Sequence, residues 1–331
     1  MESRDLLICN SNMFVPYVLS EILENKEKKY IVISDTKNIV RFFHELTIDN
    51  IVFYEYGGGR VWPIHLQKLK MKLFLSAYII NRIVFYHAEF GELANWLLLK
   101  YAKQNTYIEY GKIYDSIPMP HAQWYRGWEI RIKQWLSFNY WPDIIDNGNY
   151  LFPSLPSSFY HKIKAVTTSK SINKTVLNNF LKGYIERIGI KGKVLLLSGW
   201  VAQANVVKET EYIQKINAII KVIGHEHINV KLHPRFTDLH GTELSLKKVP
   251  SYIPGNILID VFDLYLGYTS TLLVEAAQHG KKAISFLYMM EPVNTEYPAN
   301  AHKYLLNRLN GKGIIHFPKT MEEFKNILAN Q

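Results

Sequence analysis

The chain has 331 residues, of which 48% are hydrophobic and 21% charged, and its 39 Lys and Arg against 29 Asp and Glu give a formal charge of +10. That length holds two domains of ordinary size with ample core. No stretch approaches the roughly 18 apolar residues that cross a bilayer, and a single cysteine permits no internal disulfide. The basic balance suits nucleic acid, an anionic membrane or an acidic small molecule. The basic residues are scattered, with no clustered arm and no zinc-finger spacing, so nucleic acid is not expected as a partner. The opening Met-Glu-Ser-Arg-Asp and the short apolar run to Cys9 read as a first strand rather than a signal peptide. A lone buried cysteine fits a reducing cytosol.

In the first half, strands are expected over residues 6–10, 30–34 and 51–56, with helices over 13–23 and 38–46. This alternation predicts a parallel, doubly wound sheet. Gly57-Gly58-Gly59-Arg60 closes the third strand. Gly-x-Gly-x-x-Gly is absent, so the glycines read as a tight turn or a close approach to a ligand, not as a dinucleotide fingerprint. A long basic helix is expected over 64–80 and a buried strand over 83–86 that ends at His87-Ala88-Glu89; after a helix over 93–103, a strand over 106–109 ends at Glu109 and leads into Gly111. His87, Glu89 and Glu109 all stand at strand ends and are rival candidates for taking a proton from a bound hydroxyl group.

Residues 114–160 change composition, with Trp124, Trp128, Trp135 and Trp141 among several prolines. Residues 122–138 read as one helix carrying Arg126, Arg131 and Lys133 beside the tryptophans. Such a face docks on a membrane interface or stacks on sugar rings, or else packs as an aromatic subdomain against the sheet. Asp143-Ile144-Ile145-Asp146 reads as a loop, and no Asp-x-Asp triplet occurs anywhere. After a strand over 165–168 and a helix over 172–181, glycines at 183, 189 and 192 mark a linker.

A second strand–helix series then starts. The strand over 194–197 ends in Ser198-Gly199-Trp200, a small-residue loop able to admit a nucleotide, and a helix covers 211–222. His225-Glu226-His227 lacks the i, i+4 spacing of a helical zinc site and reads as a surface turn. Two short signatures follow. In the first, a strand through Val230 leads into Lys231-Leu232-His233-Pro234-Arg235; in the second, a strand through Leu266 leads into Gly267-Tyr268-Thr269-Ser270-Thr271 and an apolar helix over 272–278. Ligands of open α/β sheets bind beyond the carboxyl ends of strands, so both signatures would face one crevice. Ser270 or Thr271 caps the helix, whose first turn with the hydroxyls of Thr269, Ser270 and Thr271 forms an anion site. Pro234 stops its strand and fixes the backbone that aims His233, while Lys231 and Arg235 add positive charge. Glu275, one turn inside the helix, reaches ribose hydroxyls or offsets the charge of the helix start. The chain closes with a strand over 282–286, a helix over 298–308, an edge strand over 313–316 and a helix over 321–328.

His-Pro after a strand, then a Ser/Thr pair opening a helix, resembles the bacterial sialyltransferases and polysialyltransferases of the GT-B fold, which use CMP-activated nine-carbon sugars. The resemblance implies that His233 contacts the CMP phosphate and assists its departure, and that Ser270 with Thr271 binds the same phosphate. It implies a catalytic base at Glu109, in a motif where Tyr110 stands in place of a second acidic residue. It also places cytosine recognition near Ile253. The missing Asp-x-Asp argues against the metal-dependent GT-A class.

The expected fold is therefore α/β and GT-B-like, two Rossmann-like domains with parallel sheets facing a central cleft. Residues 1–182 would bind the acceptor and 183–331 the nucleotide sugar, with a last helix that can pack back on the first domain. The expected function is an inverting, metal-independent, cytoplasmic glycosyltransferase with no cofactor beyond its CMP-sugar donor. It would move sialic, pseudaminic or legionaminic acid to a bacterial surface glycan, with peripheral contact to the anionic inner face of the membrane. The rivals are a CDP-glycerol or UDP-sugar transferase of similar layout and a non-enzymatic basic protein binding nucleic acid or an anionic glycan.

Overall fold

The computed structural model describes residues 1–56, 61–87, 92–100, 105–109, 125–146, 151–154, 163–167, 172–198, 201, 205–232 and 241–330. They divide into two compact units, Met1–Phe180 and Leu181–Gln331. In the first, β1 (Glu2–Cys9), α1 (Val15–Glu24), β2 (Tyr30–Ser34), α2 (Lys37–Glu45), β3 (Ile51–Glu55), α3 (Val61–Leu75), β4 (Tyr78–His87), α4 (Glu92–Lys100) and β5 (Asn105–Glu109) alternate as the apolar runs predict. After them come α5 (Tyr125–Phe138), β6 (Asp143–Asp146), β7 (Leu151–Ser154) and β8 (Ile163–Thr167). The strands form a six-stranded sheet in the order β3-β2-β1-β4-β5-β8, and every pairing in it is parallel. All five residues of β2 and the last five of β1 are buried, because a parallel sheet is covered on both faces and its strands read as unbroken apolar runs. Leu6, Ile8, Ile31, Ile33, Ile83 and Phe85 of these strands share one core with Met71, Leu75 and Leu97 of the covering helices. Where the β1–β4 register shifts between Arg4 and Leu6, Arg82 bonds Asp5 at 2.8 Å and also pairs with Glu21 of α1.

The second unit repeats the plan. It holds β9 (Val194–Ser198), α7 (Glu209–Ile223), β10 (Ile228–Leu232), β11 (Lys247–Lys248), β12 (Leu264–Gly267), α8 (Thr271–Gln278), β13 (Lys282–Ser285), α9 (Tyr297–Leu309), β14 (Ile315–His316) and α10 (Met321–Ala329). Its sheet runs β11-β10-β9-β12-β13-β14, again parallel throughout. Lys282 Nζ bonds the carbonyls of Ile327 and Asn330 at 2.9 and 3.0 Å and so holds the last turn of α10 beside β13. Among the described residues no helix is long and apolar enough to cross a membrane.

Three local expectations are corrected. Residues 78–80 belong to strand β4, not to the preceding helix, because Tyr78, Ile79 and Ile80 pair with Glu2, Ser3 and Arg4 of β1; tertiary pairing overrides an apolar run that sequence alone continues as helix. Asp143–Asp146 is a strand, paired antiparallel with Leu151–Ser154. Helix α6 (Lys174–Arg187) runs through Gly183. An added Cβ at Gly183 would meet nothing within 4 Å, so this glycine costs the helix only about 1 kcal/mol and does not end it.

Candidate functional site

In both sheets the strand order reverses beside the strand that comes first in the unit, between β1 and β4 and between β9 and β12. Loops at such a switch point diverge and leave room for a ligand. In the second unit, Leu232 of β10 pairs with Ser198 of β9, and Gly267 of β12 pairs with Leu197, so the carboxyl ends of the three strands are level. A Cβ at Gly267 would stand 3.2 Å from Leu197 Cβ; glycine there lets the strands pack side by side at the switch point.

Helix α8 begins directly beyond β12. Ser270 is its N-cap, and the Ser270 hydroxyl accepts from the Leu272 N–H at 3.3 Å. The loop before it is pinned from two sides. Ser285 Oγ donates to the Tyr268 carbonyl at 2.6 Å, while the Thr269 hydroxyl lies 3.4 Å from the Tyr297 hydroxyl and the Tyr268 and Tyr297 rings stack 6.2 Å apart. Thr269, Ser270 and Thr271 remain half-buried, at the positive end of the helix dipole.

Lys231 is the register partner of Leu197. It is 7% exposed, and burial pulls its ammonium down to about 8. Among the described residues it has no ion-pair partner. An anion beside this lysine would favour its charged form, and the capped start of α8 lies two strands away, about 10 Å. The burial makes a stability prediction. Because the folded pKa is depressed, the unfolded chain holds the extra proton between about pH 8 and 10.5, so stability falls as pH drops through that window and the penalty stays in full below it. A Lys231→Met protein is expected to be more stable than the parent at pH 7 by up to about 3 kcal/mol, the gap closing above pH 10; urea unfolding at the two pH values measures it.

Ser198 is committed inside the protein. Its hydroxyl lies 2.9 Å from both carboxylate oxygens of Glu243, which also accepts from the Tyr212 hydroxyl at 2.8 Å. Glu243 is fully buried, and two hydroxyl donors offset part of the cost of burying a carboxylate. This cluster fixes the short 3-10 helix Gly241–Ser245 against β9, just as β10 fixes Leu232. No sequence signal marked Glu243 for this role.

Glu275 is half-buried on the same helical face as Thr271, one turn on. Burial pushes its carboxyl up to about 7, against the pull of Arg308. Ile253 is 1% exposed and its N–H donates to the Pro250 carbonyl at 3.1 Å, so its side chain belongs to the core. His225–His227 is an exposed short 3-10 helix. His233, Pro234, Arg235, Gly199, Glu89 and the triple glycine lie outside the described residues.

In the first unit, His87 and Glu109 end β4 and β5 and are register partners, which places two of the three rival bases on adjacent strands. A third group of polar residues, not singled out in the sequence, sits beyond β1, β2 and β3. The Asn10 amide donates to the Tyr56 hydroxyl at 2.5 Å, Asp35 N–H donates to Asn10 Oδ1 at 3.3 Å, and the Thr36 hydroxyl bonds Asp35 at 3.0 Å. Their signal was the one used for His87, polar residues directly after an apolar strand.

No family model matches the sequence, and no curated protein sequence matches it. Among solved structures, the wall teichoic acid polymerase TagF aligns over 99% of this chain and 79% of its own, with 12% identity and a TM-score of 0.51. This is a GT-B-like fold. UDP-N-acetylglucosamine 2-epimerases align as well, the Rickettsia bellii enzyme over 94% of this chain and 89% of its own at 13% identity and a TM-score of 0.48, and the Methanocaldococcus jannaschii enzyme over 100% of both at 16% and 0.44. At these identities the likeness is one of fold. Ligands of open α/β sheets bind beyond the carboxyl ends of the strands, and polar groups described above stand at those ends in each unit.

Proposed function

We propose that the chain is an inverting, metal-independent glycosyltransferase whose second unit binds a CMP-activated nonulosonic acid and whose first unit binds the hydroxyl acceptor. The donor sugar would be sialic, pseudaminic or legionaminic acid, and the acceptor a bacterial surface glycan of the capsule or lipooligosaccharide type, assembled on the cytoplasmic side of the membrane. The observation that carries this reading is a buried Lys231, with no ion-pair partner among the described residues, two strands away from the Ser270-capped start of α8 in one sheet. Both groups favour an anion, and the strands that carry them are about 10 Å apart.

In the proposed reaction, Glu109, or His87 or Glu89 in its place, takes the acceptor proton. The acceptor oxygen forms a bond to the anomeric carbon from the face opposite CMP. The bond from that carbon to the phosphate oxygen breaks, and its electron pair leaves with CMP. Charge grows on the phosphate, where His233, Lys231 and the Thr269 to Thr271 turn stabilise it. Arg235 adds positive charge, Pro234 orients His233, Gly199 leaves room for the nucleoside and Glu275 receives the ribose. CMP carries one phosphate, so these groups replace the cation that a diphosphate leaving group often requires.

Thermal unfolding with CMP, CDP, UDP or GDP in metal-free buffer tests the reading. Saturating CMP is expected to raise the midpoint by about 4 °C or more, with the other nucleotides giving less. Binding should also take up a proton between about pH 8 and 10, because a phosphate beside Lys231 restores its charge; calorimetry in buffers of different ionisation heat reads this. A preference for CDP or UDP would move the donor to CDP-glycerol or a UDP-sugar. No response to any nucleotide would sink the transferase reading in favour of a basic binding protein, whose affinity for an anionic polymer collapses with salt.

A further inference from the structure

Helix α5 is inside out. It turns Gly127, Gln134 and Ser137 inward together with Phe138, and Gln134 is fully buried. Its opposite face carries Trp128, Ile132, Trp135 and Leu136, between 48% and 63% exposed. Those residues fall at i, i+4, i+7 and i+8, one continuous stripe. Trp141 just beyond the helix is 45% exposed and meets Trp128 edge-on at 6.0 Å.

The neighbouring helix does the same. Helix α3 buries Met71 and Leu75 in the core yet leaves Leu66, Leu69 and Leu73 between 53% and 65% exposed. The two helices are joined by Lys68, whose Nζ bonds the Ser137 carbonyl at 3.1 Å and lies 5.5 Å from the Phe138 ring. Nine of the fifteen large hydrophobic side chains exposed among the described residues lie on α3, on α5 or at Trp141. A concentration of that kind on a water-facing surface marks a docking face.

Charge decides what docks there. Across α3 and α5 there are six basic residues and one acid, Glu129. Lys70, Lys72 and Arg126 are exposed beside the stripes, and Arg131 lies 5.7 Å from the Trp128 ring centroid. A symmetric dimer through this face would set the basic flanks of one copy against those of the other, like charge on like. An anionic bilayer surface has the complementary charge, and tryptophan is enriched at the level of lipid headgroups. We propose that the α3–α5 face docks the protein on an anionic membrane surface, with the Leu and Trp stripes entering the headgroup region and the basic residues facing acidic lipid.

The inference does not depend on the donor. Sedimentation of the full chain with vesicles of phosphatidylcholine, alone or mixed with phosphatidylglycerol, tests it. The chain is expected to partition at least about tenfold more strongly to the anionic vesicles, and less as salt rises. A Trp135→Gln, Leu136→Gln double variant alters only exposed positions. It should keep the parent's circular dichroism and unfolding midpoint and lose about tenfold in partitioning. Equal binding to both vesicle types, no binding to either, or an unchanged variant would overturn the proposal. A concentration-dependent dimer abolished by the same variant would overturn it too and assign the face to a second copy.

Discussion

A His233→Ala protein is expected to fold as the parent does and to release CMP from its donor about a hundred- to a thousand-fold more slowly. The expectation rests on the described residues that flank it in the chain and on the proposed transferase activity. Leu232, which precedes it, is held opposite Ser198, and Glu243 fixes the chain beyond it through Ser198 and Tyr212. The substitution leaves both of these contacts unaltered, so a folding defect is not expected. A group that acts on a leaving phosphate works mainly where charge is growing, so the loss should fall on turnover far more than on nucleotide affinity. Steady-state rates beside thermal shifts with CMP separate the two. A variant that turns over normally would remove His233 from the mechanism.

Gly313→Ala should be the most disruptive small change in the second unit. Gly313 has φ of +82°, and a Cβ there would stand 2.0 Å from the Ala277 carbonyl oxygen and 2.4 Å from its carbon. Those atoms are backbone of α8 and cannot swing aside. Left-handed strain alone costs about 1 kcal/mol, and the collision should bring the total to about 3 kcal/mol or more. Gly311 is the internal control, since its φ is +70° but nothing lies within 4 Å of a Cβ there. Gly311→Ala should cost only the strain, about 1 kcal/mol. Equal losses in the two proteins, measured by denaturant unfolding, would show that the close approach of residue 313 to α8 does not matter. On the proposed function, a displaced α8 would also weaken nucleotide binding through its Ser270 end.

The sheets were legible because their strands are buried on both faces. Ile31, Val32 and Ile33, or Leu195 and Leu196, read as unbroken apolar runs between turn residues, and all are buried. The same rule failed at Tyr78 to Ile80, where one apolar run passes from helix to strand with neither Gly nor Pro at the junction, only Ser76 and Ala77. The boundary there is set by pairing with β1, which local sequence does not encode. Gly183 misled in the opposite direction, since an exposed glycine in a helix of fourteen residues is tolerated. At the candidate site, Ser270 was readable as a cap because capping chemistry is local. The partners of Ser198 were not, because Glu243 lies far along the chain and meets β9 only in the folded unit. The face of α5 was half legible. Its tryptophans and arginines left a membrane-docking or sugar-stacking face and a packed aromatic subdomain both open, and that Gln134 and Ser137 turn inward follows from the company of α3 and α4, not from the sequence of α5.

The position of β1 and β9 bears on synthesis. Each is made first in its unit, and each ends up in the interior of its sheet, β1 between β2 and β4 and β9 between β10 and β12. The nascent chain therefore lays down a central strand and adds neighbours outward on both sides as they emerge. The sheet of the first unit has all its strands by Thr167, before β9 begins at Val194. Domains that are complete early can fold on the ribosome while the rest is still being translated, so the slow step of pairing distant parallel strands is taken twice over short stretches instead of once over the whole length.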